Sequence, residues 1–80
     1  MLISTYGYRR EPYGIRAMFS SDGGKSWDVD HVLVDNGPSP DLGYPASVVR
    51  KDGTILTVYY TRQEGMPGSV IKQIIWRYHP

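Results

Sequence analysis

The chain has no cysteine. Neither disulfides nor thiolate-bound metal can staple it, so packing alone must hold the fold. It has almost no net charge: nine Lys and Arg face eight Asp and Glu, leaving +1. A balance of that kind excludes the strong basic footprint of a nucleic-acid binder or of a protein drawn to anionic membranes. No apolar run approaches the roughly 18–20 residues that cross a bilayer as a helix. The runs Ser47-Val48-Val49 and Val70-Ile71 are short and end beside charged residues. The opening Met-Leu-Ile-Ser-Thr-Tyr lacks the basic and apolar regions of a signal peptide, so none is expected in this chain. A secreted or periplasmic parent would carry its signal upstream, and localisation stays open. No Gly-rich phosphate loop and no nucleophile elbow is present. The two histidines, His31 and His79, lie far apart with no carboxylate at ligand spacing, so neither a metal site nor a cofactor is expected.

What is present reads as an all-β chain. Seven tyrosines, two tryptophans and one phenylalanine favour strands, and nine glycines and six prolines punctuate them. No stretch keeps a helical period over three turns, so no helix is expected. Eighty residues with 40% hydrophobic content suffice for one small domain with a marginal core. Six strands are predicted: Leu2–Tyr8, Gly14–Ser20, Trp27–Val34, Pro45–Arg50, Thr54–Thr61 and Ser69–Arg77. In the second, Ile15, Ala17 and Phe19 alternate with Arg16 and Met18. The fifth is almost wholly β-branched or aromatic, which predicts a central strand buried on both faces. Asp22-Gly23-Gly24-Lys25 and Lys51-Asp52-Gly53 are hairpin turns. Residues 35–43 form a loop without regular pattern.

An internal repeat runs through these strands. Residues 2–11 align with residues 55–64 at an offset of 53, with coincidences at Tyr6/Tyr59, Arg9/Arg62 and Glu11/Glu64. A period near ~50 residues with four strands per unit is the mark of a β-propeller blade.

Residues 20–27, Ser-Ser-Asp-Gly-Gly-Lys-Ser-Trp, fit the pattern S-x-D-x-G-x-[ST]-W. Asp22 can accept hydrogen bonds from the turn's own N–H groups. Gly24 can take a left-handed backbone conformation, Ser20 and Ser26 supply hydroxyls, and Trp27 can lay its ring beneath the turn. This segment resembles the Asp-box of the sialidase (neuraminidase) superfamily. The stretch Asp41–Val49 with Asp52–Tyr60 resembles the opening of a blade in the same family.

The resemblance implies part of a six-bladed, antiparallel propeller. Residues 1–35 would supply strands two to four of one blade, and residues 44–80 strands one to three of the next. It implies that the Asp-box lies on the face opposite the active site. The loops carrying Arg9, Arg10, Asp41, Tyr44 and Arg62 then share the active-site rim. Tyr44 sits where the family's nucleophile begins an inner strand, and Asp41 is a candidate acid/base group. Arg9, Arg10 and Arg62 are candidates for a substrate carboxylate, which an arginine fork suits. Against this, Arg9 can pair with Glu11 within its own loop. The family pattern Tyr-Glu is replaced here by Tyr59-Tyr60, so the acid beside the nucleophile is missing. Trp76 and Tyr78 are expected to cover the second blade rather than stack on sugar.

A complete propeller of this type needs roughly 300 residues. The expected function is therefore a segment of a sialidase-like exo-glycoside hydrolase acting on terminal sialic acid or a related sugar, incomplete alone. The alternative is a small carbohydrate-binding or purely structural Asp-box module. The expected partners are an acidic sugar and further blades or copies of the chain, with no nucleic acid and no membrane. Identical chains joined head to tail do not make a clean ring of four-stranded blades.

Overall fold

The computed structural model describes residues 1–78, so His79 and Pro80 lie outside it. Six strands alternate with loops: β1 (Leu2–Tyr8), β2 (Gly14–Ser20), β3 (Asp28–Val34), β4 (Gly43–Val49), β5 (Ile55–Arg62) and β6 (Ser69–Trp76). They form two antiparallel three-stranded sheets, β1-β2-β3 (sheet A) and β4-β5-β6 (sheet B). Among the described residues there is no helix. The predicted strands are all present, with shifts at their ends. β4 starts at Gly43 rather than Pro45, because Gly43 already pairs with Tyr60. Trp27 stays in the turn, and β3 starts one residue later.

The sheets stack face to face. From sheet A, Ile3, Ala17 and Phe19 meet Ile55 and Trp76 of sheet B. Toward the other end Ile15 packs with Leu42 and Tyr59. Leu33 touches both groups and makes them one core. Alternation along β2 follows the sequence pattern: Ile15, Ala17 and Phe19 are buried while Arg16 and Met18 are half-buried on the opposite face. β5 is central, as its composition requires, but it is not buried on both faces. Ile55, Thr57, Tyr59 and Thr61 are buried against sheet A, and Leu56, Val58 and Tyr60 are half-exposed on the other side.

A chain of hydroxyls crosses the interface. Trp76 Nε1 donates to Thr57 Oγ1 at 2.9 Å, Thr57 Oγ1 lies 2.7 Å from Ser47 Oγ, and Ser47 Oγ lies 3.0 Å from Thr5 Oγ1. The two sheets approach closely at Gly7 and Gly43. A Cβ on Gly7 would stand 3.0 Å from Gly43 Cα, so a side chain there would force the sheets apart.

The strand registers sort the loops between two ends. Tyr8 pairs with Gly14 and Gly43 with Tyr60, which puts the loops 9–13, 35–42 and 63–68 at one end, here called the rim. Leu2 pairs with Ser20 and Val49 with Ile55, which puts the turns 21–27 and 50–54 at the other.

Candidate functional site

At the end opposite the rim, the 20–27 turn closes on Asp22. Its Oδ1 accepts the N–H groups of Lys25 (3.0 Å) and Ser26 (2.9 Å) and the Ser20 hydroxyl (2.8 Å). Its Oδ2 accepts the Ser26 hydroxyl at 2.5 Å. Ser20 Oγ in turn accepts the Gly24 N–H at 2.8 Å. The Ser26 hydroxyl and N–H, followed by Ser20 and Lys25, hold the Asp22 carboxyl down at about 2. Gly24 has φ +94°, and a Cβ there would meet Trp27 Cζ2 at 3.8 Å, so the indole lies against the turn. The side chains of Ser20, Asp22 and Ser26 all have partners within the turn. These bonds close the turn on itself.

A second, simpler turn lies beside it. Asp52 Oδ1 accepts the N–H of Thr54 at 3.0 Å and its hydroxyl at 2.6 Å. These two bonds lower the Asp52 carboxyl, helped by Arg50 and Arg77.

At this end an aromatic group gathers on Phe19. Tyr78 stacks on it with ring centres 3.7 Å apart, and Trp76 and His31 approach edge-on at 5.7 and 5.0 Å. Trp76 and Tyr78 thus pack on the core at Phe19 of sheet A. His31 corrects the reading that no carboxylate stands near the histidines. Its Nε2 lies 2.9 Å from Asp28 Oδ2, although out of line for a hydrogen bond. The signal was present in the sequence as Asp28 and His31, three residues apart. His79 lies outside the described residues.

The rim brings most of the other candidates together. In the β4–β5 register, Gly43 pairs with Tyr60 but Ala46 pairs with Val58, so residues 44 and 45 bulge. Tyr44 sits in this bulge with φ +44°, a conformation uncommon for any residue but glycine, asparagine and aspartate. Bulges re-aim side chains, and Tyr44 is left 82% exposed. Its ring stacks on Tyr60 at 5.6 Å, and the Arg9 guanidinium lies over it at 5.8 Å. Arg9 Nε also donates to the Leu42 carbonyl at 3.2 Å. That contact replaces the Arg9–Glu11 pair expected within the loop: the guanidinium reaches across to the other sheet. Arg62 Nε stands 3.8 Å from Asp41 Oδ2. The Tyr60 hydroxyl is raised above its usual 10, first by partial burial and then by the Asp41 carboxylate, while Arg9 opposes the rise.

Arg9, Tyr44, Tyr60, Asp41 and Arg62 therefore form one row along the rim. Two guanidinium groups bracket two phenols and one carboxylate, and the row carries net positive charge. Arg10 is exposed on the loop after β1 and joins no contact in the row. Tyr60 in the row and Leu42, whose carbonyl Arg9 reaches, are the residues that sequence reasoning missed. Tyr60 was legible only as a departure from the Tyr-Glu pattern. Leu42, 1% exposed, plugs the core from a loop that shows no apolar pattern.

A hollow of about 530 Å³ at this end lies between the loops and is lined by Glu11, Tyr13, Asp35 and Pro38. Its carboxylates repel an anion, so the arginine row is the better candidate for one. No family model matches the chain, and no curated protein or solved structure does either.

Proposed function

We propose that the chain forms parts of two neighbouring blades of a sialidase-type propeller, and that its rim row binds an acidic sugar. In this reading Arg9 and Arg62 hold the carboxylate of a terminal sialic acid or a related sugar, and the Tyr44 ring carries the sugar's apolar face. Tyr44 and Asp41 are the candidate nucleophile and acid/base group of the assembled site. Tyr60 occupies the place where the resemblance expects a glutamate, so Tyr44 has no base of the usual kind beside it. Remaining groups would come from other blades. Chemistry that depends on positioning is lost when part of the constellation is missing, so this chain binds without hydrolysing.

The observation that carries the reading is Tyr44, lifted by its bulge between Arg9 and Tyr60 at the end opposite the Asp22 turn. The test is a titration with N-acetylneuraminic acid, followed by amide chemical shifts. Expected are saturable shifts at Arg9, Tyr44 and Arg62, with a Kd of about 1 mM, worth about −4 kcal/mol. The Arg9→Ala and Arg62→Ala variants should each lose them, and galactose should produce none. A fluorogenic sialoside should show no hydrolysis above buffer. Shifts that persist in the double arginine variant would refute the site.

One arrangement favours the alternative of a purely structural module. Arg62 already faces Asp41, and Arg9 already serves the Leu42 carbonyl. If no sugar titrates, these contacts are the rim's function, and they tie the loops of the two sheets.

A further inference from the structure

The outer face of sheet B is apolar and open. Val48, Ile71 and Ile75 are 57%, 75% and 51% exposed, and Leu56 and Val58 lie between them, half-buried. Val48 pairs with Leu56 and Leu56 with Ile75, so these side chains share one face. Two shallow grooves of about 180 and 240 Å³ run across it.

The internal repeat says what such a face is built to meet. With β1 laid on β5, the two ladders carry the equivalence to the next strand. In sheet A the pairs are Ile3–Phe19, Thr5–Ala17 and Gly7–Ile15. In sheet B the same places are held by Leu56–Ile75, Val58–Gln73 and Tyr60–Ile71. Ile15, Ala17 and Phe19 are 0–2% exposed, because sheet B covers them. Their counterparts Ile71, Gln73 and Ile75 have no cover among the described residues.

The converse equivalence identifies the cover. Sheet B covers sheet A with Ile55, Thr57 and Tyr59, flanked on β6 by Ile74 and Lys72. The matching positions of sheet A are Leu2, Ser4 and Tyr6, flanked on β2 by Met18 and Arg16. The chemistry agrees at five of the six places: apolar, hydroxyl and tyrosine on one strand, apolar and cation on the next; at the sixth, Ser20 stands where sheet B has Trp76. The five agreeing residues of sheet A form its outer face, beside the exposed Val32.

We infer that the outer face of sheet B docks the outer face of sheet A of a second copy of this chain. The contact repeats, between molecules, the packing that joins the two sheets within one. It stands on the repeat and the registers and not on the sugar reading, but the larger groove is lined by Tyr44 and Tyr60, so a docked copy and a bound sugar would compete for those two rings. It also needs no fourth strand, since it joins faces and not edges. A three-stranded face seven residues long measures roughly 14 by 23 Å. Its flat area is about 320 Å² on each partner, about 640 Å² across both, the size of a weak, reversible interface and not of a permanent one. Because the two faces differ, the contact is head-to-tail, and each bound copy leaves one face of each kind free to add another.

The test uses two variants of the full chain. Ile71→Glu with Ile75→Glu blocks the sheet B face, and Met18→Glu with Val32→Glu blocks the sheet A face. Ile71, Ile75 and Val32 are more than half exposed, so they sit outside each monomer's own core. Far-ultraviolet circular dichroism verifies the strands, and Val32→Glu alone replaces the sheet A pair if Met18 proves necessary for folding. Light scattering over a concentration series should show the wild type growing beyond a dimer. Each variant alone should be monomeric, its association constant lowered at least tenfold. The two variants mixed should form a 1:1 dimer and nothing larger, because one open face of each kind remains. A monomeric wild type overturns the inference. So does a sheet A variant that still dimerises by itself, since the contact would then be sheet B on sheet B.

Discussion

Replacing Thr57 by valine tests whether the hydroxyl chain between the sheets stabilises the fold. Thr57 is 0% exposed, and its Oγ1 is the acceptor for the Trp76 indole N–H. The indole only donates, so the Thr57 hydroxyl is free to donate to Ser47, and Ser47 to Thr5. Valine keeps the shape and opens no cavity, but it leaves the indole N–H facing a methyl group. A buried donor without a partner costs about 1–3 kcal/mol. Trp76 is only half-buried, so the lower part of that range applies. The added methyl returns at most about 0.8 kcal/mol. The net loss is about 1 kcal/mol, a fall of about 4–8 °C in Tm for a domain of this size. The decisive comparison is the same substitution made beside Trp76→Phe, where no indole donor remains to be orphaned. There Thr57→Val should cost close to nothing, whereas Thr57→Ser should keep its cost of about 1 kcal/mol for the lost methyl. Urea unfolding followed by circular dichroism measures all six proteins, at one chain concentration because association shifts apparent stability. If Thr57→Val costs the same with and without Trp76, the hydroxyl chain is not the source of the loss and the reasoning fails.

Two further outcomes follow from the turns. The Asp22 carboxyl is held at about 2, below its usual 3.8, and Asp52 is lowered in the same direction. A carboxyl lowered by folding stabilises at pH above its unfolded value, and that contribution is lost as pH falls through 3.8 toward about 2. The urea midpoint should therefore hold steady down to about pH 5 and drop below it. Asp22→Asn should flatten part of that drop, and an unchanged slope would refute the assignment. The second outcome compares two glycines. Gly24 has positive φ, and a Cβ there would meet Leu2 and Trp27 only at ordinary contact distance, so Gly24→Ala should cost about 1–2 kcal/mol from backbone strain. A Cβ on Gly14 would fall 1.7 Å from the Val34 carbonyl oxygen, inside the β2–β3 ladder. Gly14→Ala should therefore be the more damaging change by thermal unfolding, although the residue has no positive φ.

Strand alternation and turn chemistry made the two-sheet arrangement legible. Ile15, Ala17 and Phe19 announce one buried face because a strand has a period of two, and that face is the one sheet B covers. The Asp22 turn was legible for a different reason: all of its partners lie within seven residues. Nothing of that kind marks Leu42. It enters the core from a loop rich in proline and glycine, and only the closing of two sheets gives it neighbours. Arg9 fails in the same way. Its nearest carboxylate in sequence is Glu11, but folding offers it the Leu42 carbonyl and the Tyr44 ring, 33 and 35 positions away. The bulge at Tyr44 depends on pairing with β5, which no local pattern encodes.

The same distinction explains why the candidate site is at the rim and why it depends on the core. Arg9 belongs to the loop after β1, and Asp41, Tyr44, Tyr60 and Arg62 belong to the other sheet and the loop before it. The row exists only while the two sheets hold their spacing. That spacing is set where Gly7 meets Gly43, two residues from Arg9 and next to Tyr44, with no side chain between the backbones. Arg9 spans the gap because the gap is that narrow: its Nε and guanidinium lie within 4 Å of the position a Cβ on Gly43 would take. A residue larger than glycine at position 7 would leave the strand pattern of the sequence intact. It would still separate Arg9 from Tyr44 and dissolve the row. The rim chemistry is therefore a consequence of sheet stacking, and the two glycines, which touch no ligand, position it.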